Sequence, residues 1–260
     1  MDNQNAPEQP STAEVLAEIK QRRATRGGLE KKSTRRLVIL VDRFIFWLSS
    51  HWLVIFNTLA FLYVAPSFLA PVLMHLGAEM PARILYTLYR VAGCHQLPQR
   101  SWFLFGPQIT YTLPEFGARL GETILSDPLA WGGFTGNETL GYKVAFCQRC
   151  TATYGAIFLS GLVYGLLRSV LGWKVQPLRW WVYIGLGIVP MGLDGGYQFL
   201  SYALPLLIPN SPISPHETTP LMRVITGALF GWATVWLAYP YVEETMDDIR
   251  WSLQQRFGWE

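Results

Sequence analysis

Charge is what this sequence has least of. Lysine, arginine, aspartate and glutamate make up 15% of its 260 residues, against about 25% for an ordinary soluble domain. Cysteine is scarce too: there are three, an odd number that cannot all pair within one chain, which excludes a disulfide scaffold. The first thirty-six residues hold no apolar core and no small-residue cleavage site, so they do not read as a signal peptide. No basic patch is interleaved with aromatics, which removes the nucleic-acid-binding classes. No nucleophile–base pair and no paired carboxylates stand out, so nothing here declares an enzyme.

What is present is apolar. Half of the residues are hydrophobic and 14% are aromatic, and the mean hydropathy is positive. These values fit a chain whose solvent is largely lipid. Residues 1–36 read as a largely disordered, basic cytoplasmic arm with eight Lys/Arg between Lys20 and Arg36. Ser11-Thr12-Ala13-Glu14 matches a capping box, which predicts a short helix from Thr12 to Arg23 ended by Gly27-Gly28. Residues 37–80 hold an interfacial helix, Leu37 to Ser50, containing Asp42 and Arg43, and then a charge-free first span from Trp52 to Met74 with Pro66 and Pro71 inside it.

Residues 81–145 read as an amphipathic helix, Pro81 to Gly93, with Ile84, Leu85, Leu88 and Val91 on one face, followed by an extramembrane loop. That loop is rich in Gly, Pro and Trp and is expected to pack on the membrane surface as a cap. Residues 146–242 hold three further spans: Thr151–Leu171, with Arg168 near enough to its end to snorkel; Trp180–Ile208, interrupted by Asp194; and Leu221–Tyr239. Gly161-x-x-x-Gly165 and Gly227-x-x-x-Gly231 permit close helix approach. Residues 243–260 form a cytoplasmic tail. The fold class expected is all-α: a polytopic membrane protein of about four transmembrane helices with an amphipathic helix and an outer loop cap.

Orientation follows from the placement of Lys and Arg. With the N-terminus inside, the inner segments hold fourteen and the outer segments seven. Both termini are then cytoplasmic, in the plasma (inner) membrane, and every cysteine lies on the outer side.

The chemistry concentrates at two places. Cys147-Gln148-Arg149-Cys150 sits where a polar loop becomes a span, and Cys94-His95 ends the amphipathic helix. A Cys-x-x-Cys turn supplies two ligands of a tetrahedral zinc site, so Cys94, His95, Cys147 and Cys150 form a candidate set for a zinc-like metal ion. Adjacent Cys94 and His95 are awkward as joint ligands, and His216 is a spare. The same spacing serves a redox dithiol, and it also fits simply packed thiols.

A second group is polar and intramembrane. Asp194 lies about 21 Å into its span at 1.5 Å per residue, where an ionisable group is costly unless paired or hydrated. Gln198 is one turn on. Arg149 and Arg223 stand near the outer rim as partners or as anchors for a phosphate or carboxylate. A direct contact with Asp194 requires a displaced or unwound span, which Pro190 and Pro205 allow.

Taken in order, Cys94-His95-Gln96 with Arg100-Ser101, Cys147-Gln148-Arg149-Cys150-Thr151 with Tyr154-Gly155, Pro190, Asp194-Gly195 with Gln198, and Arg223-Val224-Ile225-Thr226-Gly227 resemble the uncharacterised prokaryotic membrane-protein family known as domain of unknown function 2085. The resemblance covers roughly residues 91–232. Gln148 stands where the family has a small residue, and Ala152-Thr153 where it has Gly-Ile. It implies a helical membrane domain in which these positions act together, and it supplies no activity.

Two function classes follow. One is a metal-stabilised membrane module with a polar pocket and a binding or accessory role, anions being held by Arg100, Arg149, Gln198 and Arg223. The other is a membrane enzyme acting on a lipid or isoprenoid substrate, with Asp194 as the candidate acid or base and Arg149 and Arg223 on the headgroup. Thiol–disulfide exchange at Cys147 and Cys150 is a third. The expected partners are membrane lipids and a protein docking on the outer loop region.

Overall fold

The computed structural model describes residues 17–18, 32–120, 131, 133–170, 172, 175–208 and 212–259. The helix expected from Thr12 to Arg23 lies outside them except for Ala17 and Glu18, which are helical. The chain divides into two units, Met1–Ser50 with Met246–Glu260 and His51–Thr245.

Helix α1, Lys32–His75, is 44 residues long. The interfacial helix and first span read from the sequence are therefore one helix. No glycine or proline separates Ser50 from Trp52, so nothing interrupts the backbone hydrogen bonds there. Helix α2, Glu79–Val91, follows. Its buried face is Ala82, Tyr86 and Tyr89, while Ile84, Leu88 and Val91 are exposed. The aromatic stripe turns inward because its hydroxyls find carbonyls: Tyr86 donates to the Lys143 carbonyl (2.5 Å) and Tyr89 to that of Tyr63 (2.7 Å).

The segment read as a loop cap contains a sheet. Strands β1 (Ser101–Leu104), β2 (Gly136–Asn137) and β3 (Gly141–Cys147) form an antiparallel sheet in the order β1-β3-β2. A short helix α3, Leu113–Leu120, lies between β1 and β2 in the chain. The helical reading holds for most of the chain, and this small sheet is an addition to it. Gly-Tyr-Lys-Val-Ala-Phe-Cys in β3 carries the aromatic and β-branched residues that suit a pleated surface, and it is buried almost throughout. Phe103, Tyr111, Phe116, Trp131 and Leu140 make a separate small core here.

Strand β3 runs without a gap into helix α4, Gln148–Ser169. Residues 180–207 form a continuous helical run, α5, in which α-helical turns alternate with π-helical turns at Ile184–Ile188 and Gly192–Gly196. Pro190 has no N–H to donate and its ring crowds the preceding turn; a widened turn just before it relieves both. Helix α6, Pro220–Phe257, closes the chain.

Within the unit His51–Thr245 the helix directions are fixed by specific pairs. Phe61 meets Phe158 (5.5 Å) and Tyr63 meets Tyr154 (4.8 Å), so α1 and α4 are antiparallel. Gly227 lies against Arg149 and Ala152, Gly231 against Ala156, and Trp236 against Tyr164 (6.3 Å), so α4 and α6 are parallel. Tyr183 meets Phe230 (6.1 Å) and the Thr226 hydroxyl reaches Asp194 (3.2 Å), so α5 and α6 are antiparallel. The glycine pairs do not face each other: Gly161 and Gly165 admit Asn57 and Leu53 of α1, whereas Gly227 and Gly231 admit the first turns of α4. Arg168 does not snorkel alone but forms an ion pair with Glu243, which also accepts from Tyr164.

Among the described residues, three helices are long and apolar enough to cross a membrane: Arg36–His75, Gln148–Ser169 and Pro220–Phe257. In the other unit, Trp259 stacks on Phe257 (4.4 Å) and packs edge-on to Phe46 (5.9 Å).

Candidate functional site

Gly93, at φ +96°, ends α2 in a left-handed conformation that glycine adopts without strain and swings Cys94 inward. Cys147 is the last residue of β3 and the cap of α4; Cys150 lies in the first turn of α4. The three sulfurs all lie within 4.8 Å of one another. A tetrahedral zinc site with Zn–S near 2.3 Å places its sulfurs about 3.8 Å apart, so the trio fits one ion with a small adjustment. Cys94 and Cys147 are buried and Cys150 is half-buried. The Cys147 N–H donates to the Cys94 sulfur (3.2 Å), and the positive end of the α4 dipole favours thiolates there. Hydrogen bonds from the Cys147 and Cys150 thiols, above all, hold the Cys94 thiol well below its ordinary pKa. Cys147 is raised: its hydrogen bond with Cys150 works the other way, but Cys94 and burial outweigh it.

Of the sequence-derived ligand set, the structure brings together Cys94, Cys147 and Cys150. His95 is turned elsewhere. Its Nδ1 accepts the Leu97 N–H (3.1 Å), and its ring lines a cavity on the other side of the turn. The ring is open to that cavity yet surrounded by protein. Burial first, offset by the Cys94 sulfur, and then Arg100, Arg223 and Arg149, lower its pKa to about 4, so it is neutral at physiological pH. His216 packs on Tyr197 (5.3 Å).

The polar residues meet in two linked groups. Arg149, between the two cysteines of the turn, forms an ion pair with Asp194, which also accepts from Thr226 (3.2 Å). Gly195 leaves room for this guanidinium, since a Cβ there would stand 2.7 Å from its Nη1. Arg223 does not reach Asp194. It donates to Glu217 (2.5 Å), Thr218 (3.0 Å), the Gln99 carbonyl (3.3 Å) and the Gln148 amide oxygen (3.0 Å). Glu217 also accepts a fork from Arg100 (2.6 and 3.0 Å), the Gln198 amide (2.7 Å) and the Tyr202 hydroxyl (2.7 Å). Burial alone would raise the Glu217 carboxyl; Arg100, Tyr202 and Arg223 outweigh it and hold it below the usual carboxylate range.

The cavity has a volume of about 630 Å³, with His95, Gln99, Arg100, Arg149, Gln198 and Tyr202 among its walls. Glu217 was not singled out by sequence reasoning, although with Asp194 it is one of two acidic residues between Trp180 and Tyr239, and that scarcity was the available signal. Lys143 was counted only as an outer basic residue. It is fully buried, and its ammonium donates to the Gln96 carbonyl (2.7 Å). Burial, then Arg90, push its pKa down to about 7, with the Cys94 sulfur acting in the opposite direction.

No solved structure matches the chain. An uncharacterised protein of Methanocaldococcus jannaschii is 24% identical over 209 residues, covering 78% of this chain and 90% of the relative. Residues 138–237 match the model of the family described as predicted membrane protein, domain of unknown function 2085, so the resemblance carried by the motifs holds over these residues.

Proposed function

We propose that this protein is a metal-stabilised membrane module with a binding role, in which Cys94, Cys147 and Cys150 hold a zinc-like ion. The observation that carries this reading is the convergence of the three sulfurs within 4.8 Å from two chain segments 53 residues apart. The ion would join three things at one point: the end of α2, the end of β3 and the start of α4. Three protein ligands leave the fourth position to water or another donor, as in open zinc sites. Lys143, buried near Cys94, supplies a positive charge beside a centre that three thiolates around a divalent ion would leave at −1 overall. The ion would also fix Arg149, since this residue lies on the same turn as two of the ligands, and Arg149 forms part of the cavity wall. The module's binding role is assigned to that cavity, and Arg100, Arg149, Gln198 and Arg223 are its polar frame.

The enzyme reading has less support. Asp194 is engaged through Oδ2 by Arg149 and Thr226, and we attribute to it the role of seating Arg149.

We further infer four membrane crossings, with both chain ends on the cytoplasmic side. Helices α4 and α6 are parallel and consecutive among the spans, so a chain that crosses with both must return between them. Helix α5 follows α6 from Phe230 to Thr226 in the opposite direction, which is the path such a return takes. This puts the thiols and the cavity on the outer side.

Metal analysis of the purified protein tests the main reading. The expected result is about one zinc-like ion per chain in the wild type and loss of it in Cys147→Ser, while His95→Ala retains it. Equal and negligible metal in wild type and Cys147→Ser would end the proposal.

A further inference from the structure

We propose that the cavity beside the thiols takes an amphiphile from the membrane, its phosphate or carboxylate head against Arg100 and Arg149 and its apolar tail along α5. This rests on the binding role given above and adds the class of ligand.

Charge balance is the first argument. Three guanidiniums, Arg100, Arg149 and Arg223, face two carboxylates, Glu217 and Asp194. Arg223 is only 4% exposed and places four hydrogen bonds, on Glu217, Thr218, Gln99 and Gln148. The excess positive charge therefore rests with the two arginines that line the cavity. The Arg149 guanidinium gives only Nη2 to Asp194, and its side chain remains 21% exposed. The fork of Arg100 onto Glu217 uses Nε and Nη2, and a guanidinium has five donors to place. One phosphate or carboxylate supplies the missing acceptors and the missing negative charge, and its geometry matches a guanidinium edge.

The apolar side of the cavity is the second argument. From the arginines it continues past Phe199 and Leu206 of α5, which are 71% and 86% exposed. These side chains belong to the outward, apolar face of a helix read as lipid-facing, so the cavity is continuous with the bilayer. Leu113 and Trp131 close it from the extramembrane side. A volume of about 630 Å³ falls within the usual range for small-ligand pockets and accommodates a head and the upper part of a chain. A free anion would leave the apolar half unused, and a neutral lipid would leave the guanidiniums unmatched.

Calorimetric titration of the full chain in neutral maltoside micelles separates these cases, with micelle-only blanks and the metal content of each sample measured alongside. The probes are dodecyl phosphate, butyl phosphate, inorganic phosphate and dodecyltrimethylammonium. The expected result is a Kd for dodecyl phosphate at least tenfold below that for butyl or inorganic phosphate, no binding of the ammonium amphiphile, and a tenfold or greater weakening in Arg100→Gln at unchanged metal content. Equal affinity for inorganic and dodecyl phosphate would overturn the amphiphile, and equal affinity for the cationic amphiphile would overturn the anionic head. The chain-length comparison uses wild-type protein, so it stands even if Arg100→Gln fails to fold. Normal binding by a metal-free sample would leave the ligand assignment intact and count only against the metal.

Discussion

Glu217 gathers Arg100, Arg223, Gln198 and Tyr202 on its two oxygens, so all of the cavity's polar frame except Arg149, which rests on Asp194, turns on one carboxylate. Glu217→Gln removes the charge and keeps the shape. With Arg223 only 4% exposed but Glu217 28% exposed, the expected loss is about 2 kcal/mol, within the range for leaving buried charged donors unsatisfied, and read as a lower unfolding temperature in detergent. The pH dependence has a defined sign. The folded carboxyl lies below its ordinary value, so its contribution is present above the unfolded pKa of about 4.3 and is lost as pH falls through the folded pKa. Wild-type stability should be flat across this group's range from pH 6 to 8 and fall in acid below about pH 4, and the difference between wild type and Glu217→Gln should shrink there. A constant difference down to pH 2 would contradict the assignment. Arg100, Arg149, Gln198 and Arg223 stand out in the sequence as polar groups in or beside apolar segments. Glu217, the shared partner of Arg100, Gln198 and Arg223, does not, because a lone carboxylate in a polar loop carries no spacing. His95 was legible as chemistry but not as direction, since adjacent side chains on an extended turn point opposite ways.

The junction between β3 and α4 explains why the thiols meet. Ser101 pairs with Cys147 across β1 and β3, and Gln148 donates to the Ser101 carbonyl (3.1 Å), so the chain a few residues after Cys94-His95-Gln96-Leu97 is drawn toward the start of α4 by strand pairing. Sequence reading placed both motifs at one depth but assigned the connecting segment to a loop; β1 has four residues and β2 two, too few for alternation to declare itself, and the Gly and Pro content masked β3. Helix α4 is also held from its other side. A Cβ on Gly231 would collide with the Thr153 carbonyl, and one on Gly227 would come within 2.7 Å of the Arg149 carbonyl. Gly231→Ala should therefore cost about 1–3 kcal/mol through overpacking, whereas Gly155→Ala, with nothing within 4 Å of the new methyl, should be neutral or slightly stabilising in a helix. Equal unfolding temperatures for the two variants would remove the close α4–α6 packing from the account.

At the scale of the whole molecule, the helix directions carry the topology. The apolar spans were legible from hydropathy, but α5 was legible only as an apolar run, because its π-helical turns around Pro190 and Asp194 follow from packing that no periodicity announces. Single cysteines at Gln176, before α5, and Ser214, after it, test the fourth crossing in intact cells with a membrane-impermeant maleimide. The expectation is that Ser214→Cys reacts and Gln176→Cys reacts only after permeabilisation; identical behaviour of the two would mean that α5 does not cross. The proposed metal centre would tie this topology to the sheet, and X-ray absorption at the metal edge of the purified protein tests it most directly. The account predicts a first shell of three sulfurs near 2.3 Å with one lighter atom and no imidazole pattern. A shell of nitrogen and oxygen alone, or an imidazole signature that disappears in His95→Ala, would contradict it.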